Sequence, residues 1–297
     1  MVQDAAAVER LLAHRHEAFR AERTSSGAIL IPKHRLVVCT MPKAGCTTTK
    51  WLILRLLGNL PSAEHICNPS AAGHTDAPSE LWHGSHDCSD CSRWILDAWR
   101  GANMLRDATN ATIRNALLSK EWTTVAVVRD PWTRAISSFQ DQIKRKHVAY
   151  SSATRDNFLT FTTRHEGYGH HTGAAVGFCG LSFLRYDYLV DVEDLEGGFG
   201  PVLRANPRLP DRAFRSGWEK CTPDANPSLL AVQGQLSNSD SRVGESKEAK
   251  ARRNNAIYCN KSTADAVAKR FAKDYRMLAA QGFVYRRCDV GTAAPRR

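Results

Sequence analysis

The stretch Arg35-Leu36-Val37-Val38-Cys39-Thr40-Met41-Pro42-Lys43-Ala44-Gly45-Cys46-Thr47-Thr48-Thr49-Lys50-Trp51-Leu52 decides the fold. Its first seven residues form a short apolar run rich in β-branched side chains, the signal of a buried strand. A Pro-Lys-Ala-Gly loop follows. From Thr47 to Leu57 the pattern turns helical. Trp51, Leu52, Leu54, Leu56 and Leu57 supply a buried face, and Gly58 suits a C-cap. Strand, glycine loop and helix together have the mechanics of an anion-binding loop. Gly45 lets backbone N–H groups approach an anion closely, and the helix start offers unpaired donors and the positive end of its dipole. Thr47, Thr48 and Thr49 add hydroxyl groups, and Lys43 adds a point charge. The order is not that of a Walker A loop, because the lysine precedes the glycine. Taken alone, the stretch also fits an ordinary strand-to-helix turn with a threonine N-cap.

Working outward, Trp122 to Val128 reads as a second buried strand, and Asp130-Pro131 opens a helix running to about His147, with Pro131 suited to its first turn. Residues 4–23 read as an amphipathic helix with Ala7, Leu11, Leu12 and Phe19 on its stripe, ended by a Ser-Ser-Gly break at 25–27. A helical stretch is expected around Trp94 to Lys120, a third strand over Leu184 to Val192, exposed loop over 223–256, and a last amphipathic helix from Lys261 to Ala280. Strands alternating with helices predict an α/β fold with a mainly parallel sheet. In such folds ligands bind at the carboxyl ends of the strands. Residues 1–30 form an N-terminal helical segment, and 31–290 a single domain with a His/Cys-rich insertion at about 60–93.

The 297 residues carry 41 Lys+Arg against 30 Asp+Glu, a net charge of +11 that favours anionic partners. Hydrophobic residues at 42% and charged residues at 24% are globular values and exclude a mostly disordered chain. No run approaches 18 apolar residues, so no segment reads as a membrane span, and Met1 to Arg23 has no signal-peptide core. Nine cysteines are too few for a disulfide scaffold, and the odd number leaves at least one without an intrachain partner. Asn110-Ala111-Thr112 and Asn260-Lys261-Ser262 are glycosylation sequons.

A second motif stands at the end of the second strand: Arg129-Asp130-Pro131-Trp132-Thr133-Arg134-Ala135-Ile136-Ser137. Arg129 can clamp a phosphate with its planar fork, and Ser137, two turns on, can donate a hydroxyl. Alone, a surface arginine and a solvated serine explain it equally well. The pair of motifs, about 80 residues apart, resembles the sulfotransferases that use 3′-phosphoadenosine 5′-phosphosulfate. More narrowly it resembles the Golgi carbohydrate enzymes of the chondroitin/dermatan 4-O- and HNK-1 type. The run Tyr186-Asp187-Tyr188-Leu189-Val190-Asp191-Val192-Glu193-Asp194-Leu195 and the closing Phe271 to Phe283 are similar to further family elements.

The resemblance implies that Pro42, Lys43, Ala44, Gly45, Cys46, Thr47 and Thr48 bind the 5′-phosphosulfate, with Lys43 also catalytic, and that Arg129 and Ser137 bind the 3′-phosphate. It implies a metal-independent in-line transfer to a carbohydrate hydroxyl, with a nucleotide donor and a glycan acceptor as partners and no nucleic acid. It also implies a glycoprotein of the Golgi lumen, a membrane system to which family members are anchored. The family's anchor is not seen in this chain, so a soluble or truncated form is expected. A P-loop-type nucleotide kinase and a non-catalytic glycan-binding relative are the rival readings.

Residues 65–93 depart from the family and hold His65, His74, His83, His86, Cys67, Cys88 and Cys91. His83-Gly84-Ser85-His86-Asp87-Cys88-Ser89-Asp90-Cys91 supports a catalytic histidine beside a structural cysteine pair, a zinc site, or a solvated loop. His83 and His86 are the candidate bases because they lie between the motifs and histidine titrates near neutrality. His165, His170 and His171 form a second cluster, and Lys144 to His147 and Arg242 to Arg253 are charged runs. Arg252 or Arg253 is a further candidate for the 3′-phosphate.

Overall fold

Two apolar runs, Gly27–Ile31 (β1) and Leu36–Thr40 (β2), are buried along their whole length. Such continuous burial marks strands covered on both faces. Pro32, which has no N–H to give a ladder, opens the short turn Pro32–His34 between them, and Arg35 completes it with φ 46°. β1 and β2 therefore pair antiparallel, with Gly27 opposite Thr40 and Ile31 opposite Leu36. The computed structural model describes residues 4–22, 27–45, 49, 53, 103–144, 152–164, 172–209, 247–283 and 288.

Three further strands complete the sheet: Asn103–Met104 (β3), Thr123–Val128 (β4) and Tyr188–Asp191 (β5). The order is β3-β1-β2-β4-β5. β2, β4 and β5 run parallel to one another, with Cys39 opposite Ala126 and Val128 opposite Asp191. On the other side β1 runs antiparallel to both of its neighbours, β2 and β3, so β3 points the same way as β2. The α/β expectation holds, in a mixed sheet. β1 is not among the expected strands, although Ala28-Ile29-Leu30-Ile31 between a glycine and a proline carries a strand signal. The third strand is shorter than expected, and the described part of the span expected to be helical around Trp94 to Lys120, residues 103–120, holds β3 and the helix Asn110–Leu118.

The chain divides into two compact units. Met1–Val128 with Gly177–Asn238 holds the sheet. Its core joins Ile29, Ile31, Leu36, Val38, Val125, Val127 and Val190 to Phe199 and Val202 of the helix Leu195–Ala205. Burial of each such side chain contributes about 1.5–3 kcal/mol before entropy is charged against it. The N-terminal segment packs on the same unit. Its helix is broken at His14 into Ala5–Ala13 and Arg15–Ala18. Leu11 is fully buried, Glu9 takes a two-pronged bond from Arg114 at 2.7 and 2.8 Å, and Arg15 donates to the carbonyls of Arg106 and Ala108.

The second unit, Arg129–Val176 with Ser239–Arg297, is helical among its described residues. Pro131–Lys144, Arg155–Thr163, Lys247–Tyr258, Lys261–Arg270 and Ala272–Ala280 surround an aromatic core of Trp132, Phe139, Phe158, Phe161, Tyr258 and Phe271. Phe139 meets Tyr258 edge-on at 5.9 Å, and Trp132 meets Phe158 edge-on at 5.6 Å, arrangements that aromatic quadrupoles favour. The last helix is interrupted at Phe271. The end of the span expected as exposed loop, 247–256, belongs to the helix Lys247–Tyr258: Asn255 accepts from the Trp132 indole at 3.1 Å and Asn254 from Gln140 at 3.2 Å.

Candidate active site

β2, β4 and β5 end at one edge of the sheet because they are parallel neighbours in register. The first motif leaves β2 at this edge. Thr40 anchors its start by donating its hydroxyl to the Gly27 carbonyl at 3.2 Å. Met41 and Pro42 are buried, and the Ala44 N–H closes a turn onto the Met41 carbonyl at 3.2 Å. Lys43 adopts φ 63° and Gly45 φ 68°. The left-handed region costs a residue with a Cβ roughly 1–2 kcal/mol, and such strain clusters at functional sites. Glycine is required at 45 for a second reason: a Cβ there would stand 2.4 Å from Val192 Cγ2, just beyond β5. The loop thus lies against the carboxyl end of β5.

The Gly45 carbonyl accepts the Thr49 N–H at 2.9 Å, so a helix starts where the loop ends. A helix start of this kind can offer its first N–H groups to an anion. Thr49 does not add a hydroxyl to the site as the sequence suggested. It is fully buried, and its hydroxyl donates to the same Gly45 carbonyl at 3.0 Å. Cys46, Thr47 and Thr48 lie outside the described residues, as do His83, His86 and the whole His/Cys-rich run.

The second motif belongs to the other unit and follows β4 directly in the chain. Asp130 is buried and caps the helix Pro131–Lys144 by accepting the Thr133 N–H at 3.0 Å, while its carbonyl takes the Arg134 N–H at 2.9 Å. Arg129 and Ser137 are half-buried. Arg134 and Asp274, to which the sequence assigns no site role, form a buried pair with Nη1 and Oδ2 3.7 Å apart. Burial holds the Arg134 pKa below its usual value, against the pull of Asp274 and with help from Arg129 and Arg270. Burial likewise pushes the Asp274 carboxyl up, opposed by Arg134 and two backbone N–H groups. Arg252 is exposed and Arg253 half-buried on the helix Lys247–Tyr258.

Beside the start of β1, Glu22 is a second feature not anticipated. One carboxyl oxygen accepts the Cys179 N–H at 2.7 Å and the Ala28 N–H at 3.3 Å, while the other is buried without a partner among the described residues. Burial raises its pKa to about 8. Cys179 is disulfide-bonded to Cys39, next to the end of β2, so this knot stands behind the first motif. Cys259 is bonded to Cys288 in the other unit. Among the described residues no group of three or more His, Cys, Asp or Glu could hold a metal ion, and no helix is long and apolar enough to cross a membrane.

The model of the sulfotransferase family matches residues 26–204. The chain belongs to the sulfotransferase family. The matched span runs from the start of β1 almost to the end of the helix Leu195–Ala205 and takes in both motifs. No curated protein and no solved structure matches this sulfotransferase. As a sulfotransferase, it catalyses transfer of a sulfuryl group from a sulfate donor to an acceptor.

Proposed function

We propose that the donor is 3′-phosphoadenosine 5′-phosphosulfate and the acceptor a carbohydrate hydroxyl, with the reaction placed in the Golgi lumen. The observation that carries the donor assignment is the Met41–Gly45 loop. Two left-handed residues, Lys43 and Gly45, turn the chain beyond a strand's carboxyl end, and the Gly45 carbonyl takes the Thr49 N–H in a helical bond. In this reading residues 42–48 receive the 5′-phosphosulfate, while Arg129 and Ser137 receive the 3′-phosphate that distinguishes this nucleotide from its simpler relatives. The +11 charge favours an anionic donor and an acidic glycan. The disulfides Cys39–Cys179 and Cys259–Cys288 support an oxidising lumen.

In the transfer, the acceptor oxygen forms a bond to sulfur as the bond from sulfur to the bridging phosphate oxygen breaks. The acceptor proton passes to a base, for which His83 and His86 are proposed. Negative charge grows on the departing phosphate, and Lys43 with the loop's backbone donors meets it, so the step calls for no metal. The test is a panel of glycans offered with ³⁵S-labelled donor. Label should appear on at least one uronate- or sulfate-bearing glycan, without magnesium. Label transferred only to non-carbohydrate hydroxyls would overturn the acceptor assignment.

A further inference from the structure

We infer that Arg134 and Asp274 form a clasp that positions Arg129 at the nucleotide, an inference that rests on the 3′-phosphate role proposed above. Both side chains are almost wholly removed from water, at 2% and 1% exposure. Charged groups tolerate such burial only when their bonding capacity is met. Arg134 Nη2 donates to the Gly173 carbonyl at 2.7 Å, while Nη1 faces Asp274. Asp274 Oδ2 accepts the Ala175 N–H at 2.8 Å, and Oδ1 accepts the Val176 N–H at 3.0 Å. The pair therefore ties three segments of one unit together: the helix Pro131–Lys144, residues 173–176 and the helix Ala272–Ala280.

The clasp reaches the second motif through its own helix. Arg134 gives its N–H to the carbonyl of Asp130, the residue beside Arg129. Ser137 lies three residues past Arg134, the spacing of neighbours on a helix surface. Arg129 is close enough for its charge to act on Arg134, as that of Arg270 also does. A fork hydrogen-bonded to a carbonyl and ion-paired with a carboxylate constrains both the rotation and the height of the helix's first turns. Lysine, with a single ammonium on a flexible stem, cannot reproduce that double tie. A shift of about 1 Å in a binding group can cost up to 10²-fold, so a clasp variant should loosen the hold on the 3′-phosphate before it unfolds the unit.

The experiment compares inhibition by adenosine 3′,5′-bisphosphate with inhibition by adenosine 5′-monophosphate. In Arg134→Lys and Asp274→Asn, the preference for the bisphosphate should fall about tenfold or more, with the monophosphate unchanged. If Asp274→Asn does not fold, Arg134→Lys decides. Cys259→Ser/Cys288→Ser weakens the same unit away from the clasp; it should lower Tm and leave the preference intact. The clasp is refuted if Arg134→Lys keeps the wild-type preference, or if the cysteine variant loses it equally. Arg129→Ala separates the two levels. Should it keep the preference, the 3′-phosphate reading fails; should it lose the preference while Arg134→Lys does not, only the clasp fails.

Discussion

Replacing Glu22 with glutamine should remove the loss of stability that this one buried carboxyl imposes as pH rises. The carboxyl is 7% exposed, with one oxygen holding the amides of Cys179 and Ala28 and the other unpartnered among the described residues. Burial raises its pKa from 4.5 to about 8, partly opposed by those two amides, weakly opposed by Arg106 and weakly assisted by Asp107. The unfolded chain therefore releases this proton above pH 4.5 while the folded chain keeps it to about pH 8. Across that window the folded state binds more protons, so stability falls as pH rises. At 1.36 kcal/mol per decade the loss is on the order of 5 kcal/mol over the full window. Glutamine keeps the acceptor for both amides, carries no charge, and nearly matches the volume. Urea unfolding from pH 5 to 9 on both proteins is the assay, with the difference between them isolating this one group. The wild type should lose stability relative to Glu22→Gln through pH 5–8 and level off above. Parallel curves would refute the reasoning.

Four other outcomes are expected. Lys43→Ala should lower kcat by about 10²-fold or more, because charge develops on the leaving phosphate, and a loss confined to KM would count against that role. Gly45→Ala should abolish turnover, since the alanine combines φ 68° with a Cβ 2.4 Å from Val192; retention of wild-type activity would show that the loop adopts another path. Cys39→Ser/Cys179→Ser, which opens a crosslink between residues 140 apart, should cost about 2–5 kcal/mol in urea unfolding, and an unchanged midpoint would contradict the crosslink. For the proposed base, His83→Ala or His86→Ala should reduce kcat at saturating donor by at least about tenfold, and two unaffected variants would remove the insertion from the chemistry.

The parts of the fold that are local in sequence could be read directly. β2, its loop and β4 show themselves as apolar runs closed by Pro42 and Pro131, and the parallel pairing puts both motifs' strands at one edge. The antiparallel β1–β2 pairing is local too, yet the apolar run Ala28–Ile31 is short and the glycine break before it masks its strand signal. The helix Lys247–Tyr258 lacks an apolar stripe. It is held through Asn254 and Asn255, whose polar bonds to Gln140 and Trp132 leave no periodic trace. Long-range partners were illegible for a different reason. Nothing near Glu22 in sequence announces Cys179, 157 residues away, and nothing near Arg134 announces Asp274. Nine cysteines allow many pairings, and only the fold selects Cys39 with Cys179. At Thr49 the residue type suggested a donor, but the helix's own first carbonyl claims its hydroxyl.

The most direct test of the central claim measures sulfuryl transfer from two donors, 3′-phosphoadenosine 5′-phosphosulfate and adenosine 5′-phosphosulfate, by the wild-type chain and by Arg129→Ala, both without metal and with ATP and magnesium as the alternative substrate pair. The wild type should use the 3′-phosphorylated donor with a kcat/KM higher by about 10-fold or more, the worth of a charge-assisted bond of about 1.5–3 kcal/mol, and Arg129→Ala should erase most of that margin. Equal use of the two sulfate donors by the wild type, or turnover only with ATP and magnesium, would contradict the account.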